Sequence, residues 1–325
     1  MLELVDADGR VGRGEASPVH WLGEEDLAAT ARVLAAVPAL VGQSCADLTA
    51  IVETWCAGSP AAACALDTAR VDLAARAAGV SLAQQLCEAH GSARPSADRV
   101  PVSALITADG SPAVEQEVRD LVTRGYRTLK LKVGGRTLSE DVERVAAARA
   151  AGGAQTRIRL DANRAWTLDE ARAALVALAP FAPDFLEEPL RDAATTGWES
   201  LRGLGIALAR DESIASVADY ERLGGSAEVL VVKAARLGGP SATVALGLRA
   251  CADGRRVVVT DAIETATGCA LATHLAALLH LPDDAVGLGG ARLLDPASHH
   301  AAPARPWSDV ASPGLGERER GALAS

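Results

Sequence analysis

The stretch "RTLKLKVGG" at residues 127–135 decides the fold, because its apolar and charged residues alternate with the period of a β-strand. Its apolar side chains point to one face, and Lys130 and Lys132 point together to the other. On an edge strand the two ammonium groups would simply face water. On a central strand they lie inside the protein and require negatively charged partners.

Similar β-like runs recur from residue 100 onward at intervals of about 20 to 30 residues, and Ala- and Leu-rich stretches of helical period follow them. The runs are "VPVSALI" (100–106), "TLKLKV" (128–133), "RIRLDA" (157–162), "DFLEEP" (184–189), "IALAR" (206–210), "VLVVKA" (229–234), "VVVTDA" (257–262) and "AVGLGG" (285–290). Repeated βα units predict an α/β fold with a closed parallel barrel, in which no strand keeps a free edge. A doubly wound open sheet is the alternative, but no G-x-G-x-x-G follows the first strand.

Three regions are predicted along the chain. Residues 1–97 begin with a hairpin-like "LELVDADGRVGRGEASP", whose turn is "ADGR", and continue with helical segments such as "AACALDTARVDLAARAAG". They predict a smaller α+β domain. Residues 98–295 form the barrel, and the irregular, proline-containing segment 296–325 is expected to return to the first domain or to fray.

Composition excludes several classes of protein. The 325 residues are 49% apolar and 23% charged, which indicates a globular chain, and no apolar run is long enough to cross a bilayer. The N-terminus lacks the features of a secretory signal, so we expect a cytoplasmic location. A net charge of -10 argues against nucleic-acid binding. The six cysteines form no C-x-x-C pair and are predicted to be core residues, and the six histidines show no ligand spacing.

Three carboxylates fall at the C-terminal ends of consecutive strands, where barrels carry their chemistry: Asp161 in "RLDAN", Glu187 in "FLEEP" and Asp211 in "ARDES". Any one of them could be a helix N-cap. Three at equivalent places repel one another unless a cation neutralises them, and Mg²⁺ suits such a set. Glu188 and Glu212 directly follow two of these residues and are interpreted as groups that support the ligands or face the surface.

The lysines can now be placed around this cluster. Lys130 and Lys132 precede the carboxylates by one strand, and Lys233 in "VVKAARLGG" lies on the sixth strand, across the barrel. They could be counter-ions of the acidic groups. Alternatively, a lysine whose pKa is lowered by partial burial and a neighbouring cation could remove a proton from carbon next to a carboxylate. A bound metal would then stabilise the negative charge that develops.

The motifs resemble, in order and spacing, those of the enolase superfamily in its muconate-lactonising subgroup: "KLKVG", "RLDANRAW", "FLEEP", "ARDES", "VVKAARLGG" and, for the capping domain, "GRGEASP". The resemblance covers nearly the whole chain. It implies a (β/α)₇β TIM-like barrel with an α+β cap. It also implies that Asp161, Glu187 and Asp211 bind Mg²⁺, that Lys132 and Lys233 are the acid/base pair, and that Lys130 is a companion cation near the substrate carboxylate.

Within the subgroup, "RLDANRAW" and "VVVTDAIETATGCALATHLAALL" most resemble o-succinylbenzoate synthases, which dehydrate a cyclohexadiene carboxylate in menaquinone biosynthesis. In that scheme Lys132 takes the α-proton and Lys233 stays cationic as hydroxide leaves. The further substrate-binding residues expected from the resemblance are Arg159, which shares a strand face with Asp161, together with Asn163, Thr260 and Asp261.

Two departures from the family pattern affect these expectations. Thr260 and Asp261 stand where many synthases have a serine pair, and a carboxylate there would disfavour a succinyl group or prefer an amine. Family members also generally begin about thirty residues further upstream, so either the start of this sequence was assigned too late or the cap is reduced and lacks its first strands.

Other functions use the same residues. A racemase or epimerase of dipeptides or N-acylamino acids would employ both lysines, although "GLGGARL" lacks the D-x-D that dipeptide epimerases typically show on the eighth strand. A non-catalytic barrel with a defective cap is the alternative from another class. The expected partner is a small-molecule carboxylate, with neither nucleic acid nor membrane, and the chain could form a homo-oligomer.

Overall fold

Two short antiparallel strands open the chain: β1 (Leu2–Val5) and β2 (Val11–Gly14). The structure is a computed structural model and describes residues 1–19, 26–38, 40–92, 98–193, 195–289 and 307–316. The turn between the strands is closed by Asp6, whose side chain accepts hydrogen bonds from the backbone N–H groups of Asp8 and Arg10. Gly9 follows with a φ of 80°, a conformation that favours glycine. The predicted hairpin turn is confirmed.

Four helices follow: α1 (Leu27–Ala36), α2 (Cys45–Trp55), α3 (Pro60–Ala78) and α4 (Leu82–Ala89). Strand β2 lies directly on α3, because a Cβ atom added at Gly14 would stand only 1.8 Å from the carbonyl oxygen of Ala65. The hairpin and these helices form the smaller α+β cap.

Eight parallel strands form the barrel: β3 (Arg99–Ile106), β4 (Thr128–Lys132), β5 (Arg157–Asp161), β6 (Phe185–Glu187), β7 (Leu208–Arg210), β8 (Val229–Val232), β9 (Arg256–Val259) and β10 (Val286–Gly287). Each strand from β3 to β8 pairs with the next along the chain, and β10 pairs with β3. A bridge between Thr260 and Gly287 joins the ends of β9 and β10, which closes the wall. All eight predicted strands are present, each starting within two residues of its predicted position. The closed barrel is confirmed, and the open sheet is not observed.

Helices connect the strands and cover the outside of the barrel: α5 (Ser111–Thr123), α6 (Leu138–Gly152), α7 (Leu168–Leu178), α8 (Thr195–Glu199), α9 (Val217–Leu223), α10 (Ala234–Leu237), α11 (Pro240–Ala252) and α12 (Ala266–Leu279). Leu129 and Leu131 of β4 are fully buried in the core cluster beneath them. The two lysines of β4 therefore face the barrel interior, as a central strand requires.

Ion pairs fill the N-terminal end of the barrel. Arg256 donates two hydrogen bonds of 2.8 Å to Asp184 and one of 2.9 Å to Asp284. Arg159 joins them with a bond of 2.8 Å to the carbonyl oxygen of Ala285 and one of 3.3 Å to Asp184. This end is therefore closed by paired charges.

A further strand, β11 (Trp307–Asp309), runs antiparallel to β3, and the chain then returns to the cap helices. The Leu315 N–H donates 2.7 Å to Asp72 of α3, and the Leu82 N–H donates 3.0 Å to the carbonyl oxygen of Gly314. Most of the segment predicted at 296–325 lies outside the described residues, as does residue 290 of the eighth predicted run.

Two further predictions concern cysteines and membranes. Cys56 and Cys64 are buried in the core as predicted, whereas Cys87, Cys251 and Cys269 are only half-buried. Within the described ranges, every helix is too short or too polar to cross a membrane. The location in the cell stays a prediction from the sequence.

Candidate active site

The three predicted metal ligands come together at the C-terminal end of the barrel. Asp161 is the last residue of β5, Glu187 the last of β6, and Asp211 directly follows β7. The strand register sets Asp161 beside Glu187, and Lys132 beside Asp161. All three carboxylates are at most 2% exposed.

Lys130 lies between two of these carboxylates. Its Nζ is 2.8 Å from Asp161 Oδ2 and 2.9 Å from both oxygens of Glu187. Burial lowers the pKa of Lys130, but the negative charges of Asp161, Glu187 and Asp211 outweigh burial and raise that pKa above its ordinary value. An ammonium cation is thus held where carboxylates of two strands meet.

Lys132 and Lys233 contact the same cluster from opposite sides of the barrel, on β4 and directly after β8. Lys132 Nζ is 3.4 Å from Asp161 Oδ2, and its side chain is 55% exposed. Lys233 donates to Asp211 Oδ2, and its side chain is only 13% exposed. These two residues and Lys130 are the only lysines of the chain.

Among the protein groups alone, the pKa of Lys233 is shifted upward. Burial lowers its pKa, but the charges of Asp211 and Glu187 more than compensate, and the pKa of Lys233 is raised. A further cation next to Lys233 would lower this pKa.

The carboxylates respond unequally to this environment. Burial and the neighbouring charge of Asp161 raise the pKa of Glu187 well above its usual range. Burial also acts to raise the pKa of Asp211, but the charge of Lys233 and a hydrogen bond with Glu187 lower that pKa below its usual range. The pKa values of these two neighbouring carboxyl groups are thus shifted in opposite directions.

The donor set fits a hard cation. Buried carboxylates from three strands are the ligands that Mg²⁺ prefers, and the Lys130 ammonium already takes a cation's position between two of them. As the side chains stand, no group of three or more His, Cys, Asp or Glu residues within the described part of the chain is arranged to hold a metal ion. The ammonium groups of Lys130 and Lys233 lie against the oxygens that would do so.

Asn163 links Lys132 to a fourth acidic residue. Its side-chain oxygen accepts from Lys132, and its Nδ2 donates 2.8 Å to Glu212 Oε1. Burial and the charge of Asp211 raise the pKa of Glu212. The sequence marked Asn163 as a substrate contact, whereas the structure places it against a proposed catalytic lysine.

Thr260 and Asp261 lie at the end of β9. Asp261 Oδ1 accepts a hydrogen bond of 3.1 Å from the Gly289 N–H, and the buried hydroxyl oxygen of Thr260 has no hydrogen-bond partner among the residues described. Next to Asp261, burial and the Asp261 charge raise the pKa of Glu264 to about 8.

The cap holds the loop that follows β9. Glu15 accepts hydrogen bonds from the Thr265 N–H at 2.8 Å, the Thr265 hydroxyl at 2.7 Å and the Gly268 N–H at 3.0 Å. Ser17 adds a bond of 2.6 Å to the carbonyl oxygen of Ile263. The sequence did not predict this contact. The "GRGEASP" motif includes Glu15 but does not indicate its partner.

Arg159 is not part of this site. It does share a strand face with Asp161, but its guanidinium runs toward the opposite end of the barrel and bonds to Asp184, Asp284 and the Ala285 carbonyl oxygen. The residue is 2% exposed. Its predicted role as a substrate-binding residue is therefore not retained.

Comparison with known proteins gives a consistent result. The sequence model of the family "Enolase C-terminal domain-like" matches residues 113–298. An o-succinylbenzoate synthase from Thermobifida fusca (strain YX) is 37% identical over 204 residues, which are 62% of this chain and 62% of that protein. The chain thus spans less than two thirds of the length of this curated relative.

Solved structures match over more of the chain. A dipeptide epimerase from Enterococcus faecalis V583 aligns with a TM-score of 0.85 at 27% identity, covering 97% of this chain and 92% of that one. The same epimerase complexed with Mg and the dipeptide L-Leu-L-Tyr aligns with a TM-score of 0.82, also at 27% identity, covering 97% and 90%.

Proposed function

Because the chain belongs to the enolase superfamily, through its enolase C-terminal domain-like region, we propose that it is a Mg²⁺-dependent enzyme that removes a proton from carbon next to a carboxylate. One observation carries the proposal. Lys132 and Lys233 contact a buried cluster of three carboxylates from opposite sides of the barrel. A substrate held between them would have an amine on each face of its α-carbon.

Asp161, Glu187 and Asp211 are the residues that would hold Mg²⁺. When bound, the ion would neutralise the cluster and stabilise negative charge that develops on the substrate carboxylate. The ammonium group of Lys130, which now lies 2.8 Å from Asp161, would move off the carboxylate oxygens. It could then pair with the carboxylate of the substrate.

Lys132 is assigned as the base that takes the α-proton. Its exposed side chain can reach a substrate above the cluster, and Asn163 holds its amino group in place through the side-chain oxygen. Lys233 is more buried and pairs with Asp211, which suits a group that stays cationic while negative charge develops nearby.

The reaction we favour is the dehydration that yields o-succinylbenzoate. Lys132 removes the α-proton, the electron pair of the broken C–H bond forms a new carbon–carbon double bond, and the leaving hydroxide takes that proton from the Lys132 ammonium and departs as water. Support comes from the Thermobifida fusca relative and from the raised pKa values of Lys130 and Lys233, which keep both side chains cationic beside the carboxylate cluster. Asp261 counts against a succinyl carboxylate lying directly beside it.

Racemisation or epimerisation of an acylated or dipeptide amino acid is the second candidate. The likeness to dipeptide epimerases over 97% of the chain favours it, as does the contact of both lysines with the cluster. In this reaction one lysine removes the α-proton and the other returns a proton to the opposite face.

One experiment separates these candidates. The Mg²⁺-loaded protein is incubated in D₂O with the cyclohexadiene carboxylate substrate and, separately, with an N-succinylamino acid and a dipeptide. Formation of the aromatic product without deuterium uptake by the amino acids supports the lyase. Deuterium uptake at the α-carbon without dehydration supports the racemase or epimerase, and inactivity on all three would favour a non-catalytic barrel or another substrate.

A further inference from the structure

Glu188 has an unusual backbone at the end of β6. Its φ is +37°, in a region that residues other than glycine rarely adopt, and the residue is 0% exposed. Its N–H donates 2.9 Å to the Ala209 carbonyl oxygen, and its own carbonyl oxygen accepts 2.7 Å from the Arg164 N–H. Such a conformation persists only where the surroundings hold it, and it occurs preferentially at functional sites.

The side chain of Glu188 holds the turn that carries Asp211. Its Oε1 accepts hydrogen bonds from the Asp211 N–H at 3.0 Å, from the Ser213 N–H at 2.9 Å and from the Ser213 hydroxyl. A carboxylate of one strand therefore fixes the backbone on both sides of Glu212 at the end of the next strand. The direction of the Asp211 side chain depends on that backbone.

Arg210 supports the same turn from the other side. Its Nη1 donates 3.1 Å to the Ser213 hydroxyl oxygen, and its guanidinium lies 3.6 Å from the ring centroid of Trp198. Arg210 and Trp198 are both fully buried. Ser213 is thus bound by Glu188 and by Arg210, so the turn has little freedom to move.

We propose that Glu188 is a positioning residue that aims the Asp211 carboxylate at the cation site. The proposal rests on the assignment of Asp211 as a metal ligand under the proposed function. Groups that orient metal ligands commonly change metal affinity when they are removed, although they do not touch the ion. Without the Glu188 carboxylate, the Asp211 and Ser213 N–H groups lose their shared acceptor and the Asp211 side chain loses its fixed direction.

The test measures Mg²⁺ binding to the full chain by titration calorimetry without substrate, alongside thermal unfolding. Glu188→Ala should weaken Mg²⁺ affinity about 10- to 100-fold, whereas Glu188→Gln, whose amide oxygen can still accept the hydrogen bonds, should stay within about threefold of wild type. Glu188→Asp withdraws the carboxylate by one methylene and should also weaken binding, which keeps the test valid if Glu188→Ala does not fold.

Glu117→Ala is the matched control. Glu117 also accepts hydrogen bonds from two backbone N–H groups and a hydroxyl, those of Thr107 and Ala108 after β3, but it does not contact the carboxylate cluster. The Mg²⁺ affinity of the Glu117→Ala variant should equal that of the wild-type protein.

The outcomes are distinct. If Glu188→Ala and Glu188→Asp bind Mg²⁺ as wild type does while Asp211→Asn binds it weakly, Glu188 has no positioning role and the inference is wrong. If Asp211→Asn also binds Mg²⁺ normally, the proposed metal site itself fails. Weak binding by Glu188→Ala with recovery in Glu188→Gln supports the inference, because a merely structural loss would change unfolding without this pattern in affinity.

Discussion

Lys130 Nζ lies 2.9 Å from each carboxylate oxygen of Glu187, so a lysine of β4 and a glutamate of β6 form a bidentate ion pair across β5. Under the proposed function Glu187 is a Mg²⁺ ligand, so the Lys130 ammonium and Mg²⁺ would compete for the same oxygens.

Lys130→Met should make the protein depend on Mg²⁺ for stability. Without added metal, the unpaired carboxylates should lower the free energy of unfolding by about 2 kcal/mol, less than for a fully buried pair because the Lys130 side chain is 22% exposed. Mg²⁺ should then raise the urea midpoint more in the variant than in wild type. Lys132→Met is the control, and equal stabilisation of all three proteins by Mg²⁺ would contradict the competition.

Lys132→Ala should slow α-proton exchange at least about 100-fold with every substrate that the wild-type protein deuterates. Loss of the base removes the only group assigned to take the proton on that face. Proton NMR in D₂O measures the exchange. Lys132→Arg, which keeps the charge but stays protonated and so cannot accept a proton, is the matched control and should be equally inactive; exchange at the wild-type rate in either variant would remove Lys132 from this role.

Glu15→Ala should loosen the loop that follows β9. Three hydrogen bonds to the Glu15 carboxylate are lost, so we expect a decrease of about 1 to 3 kcal/mol in the free energy of unfolding and faster hydrogen exchange at residues 260–268. Glu3→Ala, on the same hairpin but exposed and paired with Arg13, should change neither. Slower or unchanged exchange in Glu15→Ala would show that the cap does not hold this loop.

Arg159→Met tests whether Arg159 belongs to the ion pairs at the N-terminal end of the barrel and not to the substrate site. Loss of the guanidinium leaves Asp184 with Arg256, and Asp284 with Arg256 and Arg157, and should lower the free energy of unfolding by about 2 to 4 kcal/mol. The kcat and KM of the folded fraction should not change. A higher KM together with an unchanged free energy of unfolding would show that Arg159 binds the substrate.

The stability of the protein should fall in mildly acidic solution. Burial lowers the pKa of His280 to about 4, and its Nε2 accepts a hydrogen bond from the Val259 N–H, so the ring is neutral in the folded state. Unfolded histidine titrates near pH 6.5, and the unfolded chain therefore binds protons first as the pH falls. The contribution is complete above about pH 6.5 and declines toward pH 4.

Urea unfolding between pH 7 and pH 5 measures this effect. His280 should account for about 2 kcal/mol of the decrease by pH 5. His280→Gln, whose side-chain oxygen can accept the Val259 hydrogen bond, should flatten the curve by that amount. An unchanged slope in the variant would mean that other groups cause the acid sensitivity.

The fold was predictable from local sequence patterns, whereas the candidate site was predictable only in part. Alternation and spacing predicted the eight strands because a parallel strand and its helix form from nearby residues. The strand ends then placed Asp161, Glu187 and Asp211 correctly at one end of the barrel.

Contacts that depend on side-chain direction or on distant segments were not predictable. Alternation gives the face on which Arg159 lies, but not which end of the barrel its long side chain reaches. The positive φ of Glu188 depends on contacts with β7, and the bond from Thr265 to Glu15 joins residues 250 positions apart. Such features require the assembled barrel.

The concentration of all three lysines at one cluster has a practical consequence. Reductive methylation with ¹³C-formaldehyde would introduce methyl probes at Lys130, Lys132, Lys233 and the terminal amine, and at no other side-chain amine. Carbon NMR of a 33.3 kDa protein would then contain a handful of resonances, nearly all from the carboxylate cluster. Metal and ligand titrations could be followed there directly, without assignment of the remaining spectrum.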